Sequence, residues 1–463
     1  MPSNSVAASG GATAPTLDSV LRKASWRIVP LFVACFGMAY LDRVNISFAK
    51  LQMQSELGLS DAAYGLGASI FFISYLVFEI PSNMILARVG SRLWIARIMI
   101  SWGIASALMM FVKTEAWFYV LRFLLGMFEA GFVPGAVYYF TQWFPAKQRG
   151  RINSFFFTSI ALCGILGGPI SGAIMKYMDA VGGMHGWQWL FLLEGIPSVV
   201  LGFVVMAWLD DRVEDARWLN DDEKRILTAS LEAEPRSGST HSFSVALRQP
   251  STYVFSVIYL GLAMGIYGIL FWMPQLVKTA GTNDTFIIGL ITMLPYLVAL
   301  VGVTLIARSS DRTGERKWHL AGCALAGVVG YVMCGIFGNS TVMLVVGLSI
   351  AATGIIASFG LFWILPARVM TGVAAAGGLA LINSVGQLGG VIGPYMVGVV
   401  RDTTGSADAA LYAIAGVCAL SAGLIVWCLP KRVYERASSD EAVTSSLAVD
   451  GVLVPPLVAG ERN

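Results

Sequence analysis

The chain has 463 residues, of which 56% are hydrophobic and only 13% are charged. Soluble domains average about 25% charged residues, so this composition excludes an ordinary soluble globular protein. The mean hydropathy of +0.70 and the 50 glycines are typical of a helical membrane protein, in which glycine lets helices approach closely. A net charge of +3 is too small to indicate a protein that binds nucleic acid.

The N-terminal segment is polar and lacks the apolar core of a cleavable signal peptide. We therefore predict a disordered cytoplasmic tail over residues 1–27. The first apolar run begins near Ile28 and follows Arg22, Lys23 and Arg27, which is typical of a signal anchor.

A helix needs roughly 20 apolar residues to span a bilayer. Twelve runs meet this condition, at about 28–48, 64–86, 93–112, 116–140, 152–175, 188–209, 252–277, 286–307, 318–338, 341–366, 375–400 and 409–429. They predict a six-helix bundle over 28–209 and a second over 251–429. The charged segment 210–250 predicts a cytoplasmic central loop containing an amphipathic helix with Asn220 as N-cap. Residues 430–463 are predicted to form a cytoplasmic C-terminal tail.

Lysine and arginine are distributed unevenly between the two sides of these spans. If the N-terminus is inside, the outer loops contain only Lys50, Lys113, Lys176, Lys278 and Arg401, and the inner segments contain most of the other basic residues. Because positive loops stay in the cytoplasm, both termini and the central loop are predicted to be cytoplasmic.

Two short motifs recur in the two halves of the chain. Gly90 of ARVGSR and Gly314 of SDRTGER are 224 positions apart, and Pro169 of GILGGPISG and Pro394 of GGVIGPYMVG are 225 positions apart. This recurrence predicts two bundles of common ancestry with a cavity between them near the middle of the membrane.

Five ionisable side chains interrupt the apolar runs, namely Asp42, Arg43, Glu79, Arg122 and Glu129. A charge at membrane depth costs about 2.5–3.5 kcal/mol on insertion scales, so each needs a partner, a watery cavity or a function. Arg122 and Glu129 share a helix face but lie roughly 10 Å apart along the axis, too far for a direct ion pair. Asp42 is expected at the depth of Arg122, and we predict a contact between them across helices.

The loop SDRTGER resembles the G-x-x-x-D-R-x-G-R-R signature of the major facilitator superfamily. Its matching residues are Asp311, Arg312, Gly314 and Arg316, although Ala307 replaces the first glycine, and the earlier copy has Ala87 in place of its aspartate. The finer resemblance is to the anion:cation symporter branch, which includes bacterial sugar-acid, tartrate, phthalate and hydroxyphenylacetate permeases. It is carried by LDRVNISFA (41–49), YLVFEIPSN (75–83), LRFLLGMFEAGFVPG (121–135), WFPAKQRGR (143–151), GWQWLFLLEGIPS (186–198), FWMPQ (271–275) and INSVGQLGG (382–390).

The resemblance implies an all-α membrane protein with twelve transmembrane helices in two pseudo-symmetric six-helix bundles, the major facilitator fold. In galactonate-type symporters, residues matching Asp42 and Glu129 are regarded as proton sites, and those matching Arg43 and Arg122 as linked to substrate binding. The chemistry agrees, because a guanidinium presents paired donors that match a carboxylate. Two alternatives stay open: Asp42–Arg43 as a static polar clamp, and Arg122–Glu129 as an architectural feature.

Further side chains are candidates for the wall of the same cavity. Tyr75 shares a helix face with Glu79, and Asn383 and Gln387 share one on the eleventh span. Resemblance places Asn383 near substrate and makes Trp363 a plausible cavity wall. The weaker candidates are Tyr267, Trp272 and Gln275.

A structural or gating role is expected for Glu79 and for the loop residues Asp311, Arg312, Gly314 and Arg316. Pro169 and Pro394, with their neighbouring glycines, are expected to give close helix contacts that still slide. Glu194 is interpreted as a structural acid inside its bundle.

The sequence contains no pattern typical of a cofactor or metal site. The three histidines are far apart, the six cysteines lack ligand spacing, and neither a phosphate-binding loop nor HExxH is present. We predict free, buried cysteines, no metal, no cofactor besides the coupling proton, and no enzymatic activity.

Together these features predict a monomeric secondary active transporter of the bacterial cytoplasmic (inner) membrane. It is expected to import a small organic anion by proton symport with alternating access, its partners being that anion, protons and the lipid bilayer. A sugar acid, a dicarboxylate and an aromatic acid stay open as substrates, as does the proton stoichiometry. The alternatives are an anion exchanger, a uniporter of the same fold and a transporter-derived sensor.

Overall fold

The computed structural model describes residues 15–233, 249–369 and 373–429, with the backbone alone over 367–369 and 373–377. Parts of the predicted N-terminal tail (1–14) and central loop (234–248), and the predicted C-terminal tail (430–463), lie outside the described residues. The helices are α1 (Leu17–Leu57), α2 (Asp61–Val89), α3 (Ser91–Leu108), α4 (Glu115–Glu129), α5 (Phe132–Trp143), α6 (Ala146–Tyr177), α7 (Gly186–Trp208), α8 (Asp221–Glu232), α9 (Pro250–Thr279), α10 (Thr285–Thr313), α11 (Lys317–Ile336), α12 (Thr341–Phe362), α13 (Ile364–Val369), α14 (Val373–Thr404) and α15 (Ala407–Trp427).

The predicted spans correspond to these helices. Within the described residues, eleven helical segments are long and apolar enough to cross a membrane, and α14 covers the remaining predicted span at 375–400. The predicted fourth span is two helices, α4 and α5, because Gly131 adopts a left-handed backbone conformation with φ of 89°. A break in a helix at membrane depth is tolerated where protein surrounds it.

The predicted tail over residues 1–27 is wrong for its last part, because α1 begins at Leu17. Thr16 and Ser19 form a reciprocal cap at this helix start. Lys23 then contacts Glu223 of α8 at 2.8 Å, and Arg27 donates to the carbonyl of Trp208 at 3.1 Å. These contacts fix the first turns of α1 against the central segment.

The amphipathic helix predicted in the central loop is α8, and Asn220 caps it as expected. Asn220 Oδ1 accepts from the N–H of Glu223 at 2.8 Å, and the carboxylate of Glu223 accepts in return at 2.9 Å. Burial favours the neutral form of Glu223, but the Lys23 ammonium and the Asn220 N–H hold its pKa below the usual value for glutamate.

The cysteines are free, but one of them is not buried as predicted. Cys428 follows the last residue of α15 and is exposed, whereas Cys35, Cys163, Cys323, Cys334 and Cys418 are buried. Because Cys428 lies beyond the last residue of α15, no following helical turn within the described residues covers its side chain.

The helices form two bundles, α1–α7 and α9–α15, whose internal packing repeats. The contact of α3 with α7 corresponds to that of α11 with α15, and the contact of α1 with α6 to that of α9 with α14. The bundles meet where α2 packs on α14, α6 on α10 and α1 on α9. This arrangement places the inner faces of α1, α2 and α4 opposite α9 and α14.

The bundles are joined at the end that carries the α1–α2 turn, which we call the first-turn end. Lys50 donates to Asp61 at 2.6 Å, and Arg401 of the other bundle reaches the second oxygen of Asp61 at 3.2 Å. Asp402 accepts from two backbone N–H groups at the start of α2, and Lys50 Nζ lies 3.5 Å from the ring centroid of Trp272. We call Lys50, Asp61, Trp272, Arg401 and Asp402 the first-turn seal.

Towards the opposite end, which carries α8, the face of α2 that meets α14 loses its cover. Ser69 of that face donates to the carbonyl of Val391. Ile80 lies three helical turns further along the same face and is 70% exposed. The bundles are therefore closed against each other at the first-turn end, and this face of α2 is uncovered towards the α8 end.

Two backbones approach closely where α6 crosses α10. A Cβ atom on Gly168 would lie 2.5 Å from Thr292 Oγ1 and 2.7 Å from the carbonyl of Gly289, so only glycine fits without displacing α10. Pro169 follows directly, and the repeat-related Pro394 has its carbonyl against Gly65 of α2. Both predicted Gly-Pro motifs thus lie at contacts between the bundles.

Gly168→Val is expected to separate α6 from α10 and shift the protein towards a form open at the first-turn end. The measurement is the distance between spin labels on Lys113→Cys and Asn283→Cys, which are exposed, in a Cys428→Ser background. Gly322→Val is the matched control, because a Cβ there meets no atom within 4 Å. An unchanged distance distribution in Gly168→Val would show that this contact does not hold the closed end.

Candidate functional site

The centre of the site is a buried ion pair between the two helices that the sequence singled out. Arg43 Nε donates to Glu129 Oε1 at 2.7 Å, and Arg43 Nη2 reaches the same oxygen at 2.5 Å. Glu129 is only 2% exposed, and the Arg43 side chain is 13% exposed. The guanidinium therefore keeps a partly open edge while neutralising a carboxylate that lies out of reach of water.

The break in the fourth span explains the position of this pair. Glu129 is the last residue of α4, and Ala130 and Gly131 separate α4 from α5. A helix C-terminus carries a partial negative charge, which favours a cation beside it. The unwound backbone and the Glu129 carboxylate both attract Arg43.

Aromatic rings surround the Arg43 guanidinium. Its carbon Cζ lies 5.3 Å from the ring centroid of Tyr75 and 5.6 Å from that of Phe71. Tyr267 of the other bundle interacts electrostatically with Arg43 and donates to Gln387 at 3.2 Å. The site thus contains side chains from both bundles.

Arg122 lies on the first-turn side of this group and is almost fully buried, with 1% exposure. Its Nε donates to the carbonyl of Gly67 at 3.1 Å, and its Cζ lies 4.8 Å from the ring centroid of Phe71. Its Nη2 is buried with no hydrogen-bond partner. A guanidinium nitrogen of this kind has unused capacity for an anion.

The predicted contact of Asp42 with Arg122 is wrong. Asp42 accepts from Trp102 Nε1 at 2.6 Å, Ser106 Oγ at 2.8 Å and Ser198 Oγ at 3.1 Å, whereas Arg122 points to Gly67. Neighbouring residues of a helix face directions about 100° apart, so Arg43 points to α4 while Asp42 points to α3 and α7. The prediction considered only the depth of Asp42 and Arg122 in the membrane, which does not determine the face of α1 on which each charged side chain lies.

The remaining predicted wall residues are distributed around this centre. Glu79 interacts electrostatically with Arg43 and lies one helical turn after Tyr75 on α2, towards the α8 end. Gln387 meets Tyr267, and Trp363 packs edge-on against Tyr259 with ring centroids 4.9 Å apart. Asn383 is half-buried one turn before Gln387 on α14.

One of the further candidates from the seventh span, Trp272, belongs elsewhere, because it is part of the first-turn seal. Gln275 is half-buried near the same end of α9. Tyr267, four residues before Phe271, is the member of this helix that reaches the site.

The repeated loop motif shapes the α8 end. Arg316 contacts Asp311 at 2.6 Å, Gly314 ends α10 with φ of 71°, and Arg312 lies exposed in its last turn. In the first copy, which lacks its aspartate, Asp211 accepts from the N–H of Arg92 at 2.8 Å and so caps the start of α3. The carboxylate that the first copy lacks is thus supplied by Asp211, in the segment after α7, and the sequence of the motif could not predict this contact.

The sequence analysis also missed Tyr40 and Tyr296. Tyr40 interacts electrostatically with Tyr296, Tyr267 and Arg43. It lies three residues before Arg43, so its helical spacing could have identified it. Tyr296 has no comparable signal, because its position depends on how α10 packs on α6.

A separate cavity of about 670 Å³ lies at the α8 end within the first bundle. Its walls include Arg27, Arg92, Asp210, Asp211 and Trp218. The described residues that line it come from the first bundle and from the segment that follows α7.

Arg43→Gln is expected to lower the free energy of unfolding by about 3–5 kcal/mol, because it leaves the buried Glu129 carboxylate without its cation. The double variant Arg43→Gln/Glu129→Gln is expected to recover most of that loss. Thermal unfolding of the purified protein in detergent measures both. Arg225→Gln, which removes an exposed pair with Asp222 on α8, is the control and should have almost no effect. A double variant no more stable than Arg43→Gln would contradict the pairing.

Comparison with known proteins agrees with this architecture. The model of the Major Facilitator Superfamily matches residues 31–394. NicT of Pseudomonas putida, named as a proposed metabolite transport protein, is 46% identical over 416 residues, which cover 89% of this chain and 95% of NicT. A proposed tartrate transporter of Agrobacterium vitis is 43% identical over 425 residues, which cover 91% of this chain and 94% of that protein.

The fold is also similar to that of a solved structure. The crystal structure of a D-xylose–proton symporter has a TM-score of 0.68 at 16% identity and covers 89% of this chain and 99% of its own. The family match and the relatives together show that the chain belongs to the major facilitator superfamily of multi-pass membrane transporters and is a secondary transporter, not an enzyme.

Proposed function

We propose that the protein imports a small organic anion together with protons across the bacterial cytoplasmic membrane. The observation that carries this proposal is the Arg43–Glu129 ion pair, which lies beside aromatic rings of both bundles. A hydrophobic substrate would gain nothing from such a pair. An anionic substrate gains the Arg43 guanidinium as its binding partner.

The positive-inside rule supports an orientation with the first-turn end in the periplasm. The α8 end, with its basic loops, then lies in the cytoplasm, and the described conformation is inward-open. The seal of Lys50, Asp61 and Arg401 is the part that must separate to admit substrate from outside.

Proton coupling follows from an exchange of partners at Arg43. When a substrate carboxylate binds the guanidinium, Glu129 loses its counter-ion in a site that disfavours an isolated charge. Glu129 then takes up a proton, so the anion and the proton enter together. After release at the open end, Glu129 loses the proton and pairs with Arg43 again.

The polar wall supports a hydroxylated carboxylate as substrate. Tyr75 and Tyr267 supply hydroxyl groups beside Arg43, and Gln387 accepts from Tyr267. Asn383 lies one turn before Gln387 on α14, and Trp363 packs on Tyr259. The similarity to a proposed tartrate transporter supports the same class. We assign Arg122, with its unpartnered nitrogen, to a second carboxylate or to substrate in the outward-open form.

Proteoliposomes with an imposed pH gradient test the proposal. A panel of hydroxylated mono- and dicarboxylates should contain a compound that accumulates when the outside is acidic and stops accumulating with a protonophore. Accumulation that ignores the gradient would favour a uniporter, and uptake that requires an internal anion would favour an exchanger.

Glu129→Gln is expected to abolish proton-driven accumulation and to retain counterflow exchange, because the amide can neither hold nor release the proton. Both rates are measured with the same radiolabelled substrate in the same vesicles. Glu115→Gln, on the exposed first turn of α4, is the matched control. Wild-type accumulation by the Glu129 variant would remove this residue from the coupling mechanism.

Arg122→Lys is expected to reduce transport strongly without unfolding the protein, since an ammonium keeps the charge but not the planar paired donors. The measurement is the substrate concentration for half-maximal uptake, with thermal unfolding as the check on the fold. Unchanged uptake would assign Arg122 to packing alone.

A further inference from the structure

A pair of buried carboxyls lies inside the first bundle, formed by Asp42 on α1 and Glu194 on α7. They are 6% and 3% exposed. Asn45, one turn after Asp42, donates from Nδ2 to Asp42 Oδ1 at 3.2 Å and interacts with Glu194. Ser198, one turn after Glu194, donates to Asp42 at 3.1 Å. Two turns of α1 thus face two turns of α7.

Every described hydrogen-bond partner of these two acids is neutral. Those of Asp42 are Asn45, Trp102, Ser106 and Ser198, and that of Glu194 is Ser171. Four donors satisfy both oxygens of an ionised Asp42. A second ionised carboxylate beside it, deep in the membrane and without a cation among its partners, would be very unfavourable.

Two buried acceptor atoms in this cluster lack a donor. They are Glu194 Oε2 and Asn45 Oδ1, on side chains that interact with each other. A proton on Glu194 Oε2 turns that oxygen into a donor, and a hydrogen bond to Asn45 Oδ1 then satisfies both atoms at once. If the Asn45 amide is reversed, its carbonyl faces Asp42 instead, and the cluster still lacks one hydrogen.

We propose that Glu194 is a second proton-binding carboxyl of this transporter, which forms with Asp42 and Asn45 a site that holds one proton in the described conformation. In this form Glu194 is a neutral acid hydrogen-bonded to Asn45, and Asp42 is the ionised partner that can accept a further proton. The role of this site in transport rests on the proposed proton symport, whereas the presence of the proton does not.

The surroundings define which other groups act on the pair. Cys163 of α6 is the titratable neighbour of Glu194, and Glu129 at the end of α4 acts on Asp42. The groups contributed by α3 are Trp102 and Ser106, which are neutral donors. Since Arg43 is paired with Glu129, its charge is already partly neutralised for this cluster.

Infrared spectroscopy of the purified protein in lipid tests for the proton directly, without substrate. The wild type should show the C=O band of a protonated carboxyl at a pH where exposed carboxyls are ionised. Glu194→Gln, whose amide donates to Asn45 in the same place, should lose that band and still unfold at the wild-type temperature. Ser171→Ala should shift its frequency by removing the 2.8 Å hydrogen bond, and Glu115→Gln should leave it unchanged.

A band that persists unaltered in both Glu194→Gln and Ser171→Ala would show that Glu194 is ionised and would overturn the proposal. The Ser171 variant keeps the test valid if the glutamine variant fails to fold, because it leaves the carboxyl in place.

Transport assays separate the role of this proton from its presence. Glu194→Gln should lose pH-driven accumulation and keep counterflow, and Glu194→Asp should recover part of the accumulation. Wild-type accumulation in Glu194→Gln would make the proton structural and contradict the coupling role. If the wild type shows no pH-driven accumulation while the infrared band behaves as expected, the proposed symport fails and the proton site stands.

Discussion

The bond between Arg43 and Glu129 is the constraint on which the rest of the structure depends. Glu129 is 2% exposed at membrane depth, and the Arg43 guanidinium beside it neutralises its charge. The break after Glu129 and the glycine at position 131 place this carboxylate at a helix end rather than within one. In the proposed transport cycle, Arg43 can therefore exchange Glu129 for a substrate without disturbing a continuous helix.

The contacts between the bundles combine close backbone packing at glycines with charged side chains at the first-turn end. Gly168 and Gly65 bring backbones together on either side of the first-turn end, where Lys50, Asp61 and Arg401 add a layer of charge. Small residues allow close approach. The closed end is therefore held by close backbone contacts together with the buried Lys50 and its partners, whereas the central site is held by the Arg43–Glu129 pair.

Much of this arrangement could be predicted from the sequence. Hydropathy located the spans, Asn220 identified the start of α8, and the charges within apolar runs identified Arg43 and Glu129. These signals can be read from the sequence because each depends on a single helix and on whether water or lipid surrounds it.

The errors arose where partners come from other helices. Asp42 and Arg43 are adjacent but point to different neighbours, and only the positions of α4 and α7 relative to α1 decide which. In the same way, the role proposed for Glu194 depends on its interaction with Asn45 on α1. Asp211 supplies the carboxylate that the first loop motif lacks at Ala87, more than one hundred residues earlier in the chain.

The central idea is that an acid substrate displaces Glu129 from Arg43 and so makes Glu129 bind a proton. Calorimetric titration of the substrate in two buffers of different ionisation enthalpy measures the protons taken up for each anion bound. Net proton uptake by the wild type that disappears in Glu129→Gln agrees with this account. Binding without any proton uptake, or with the same uptake in both proteins, would contradict it.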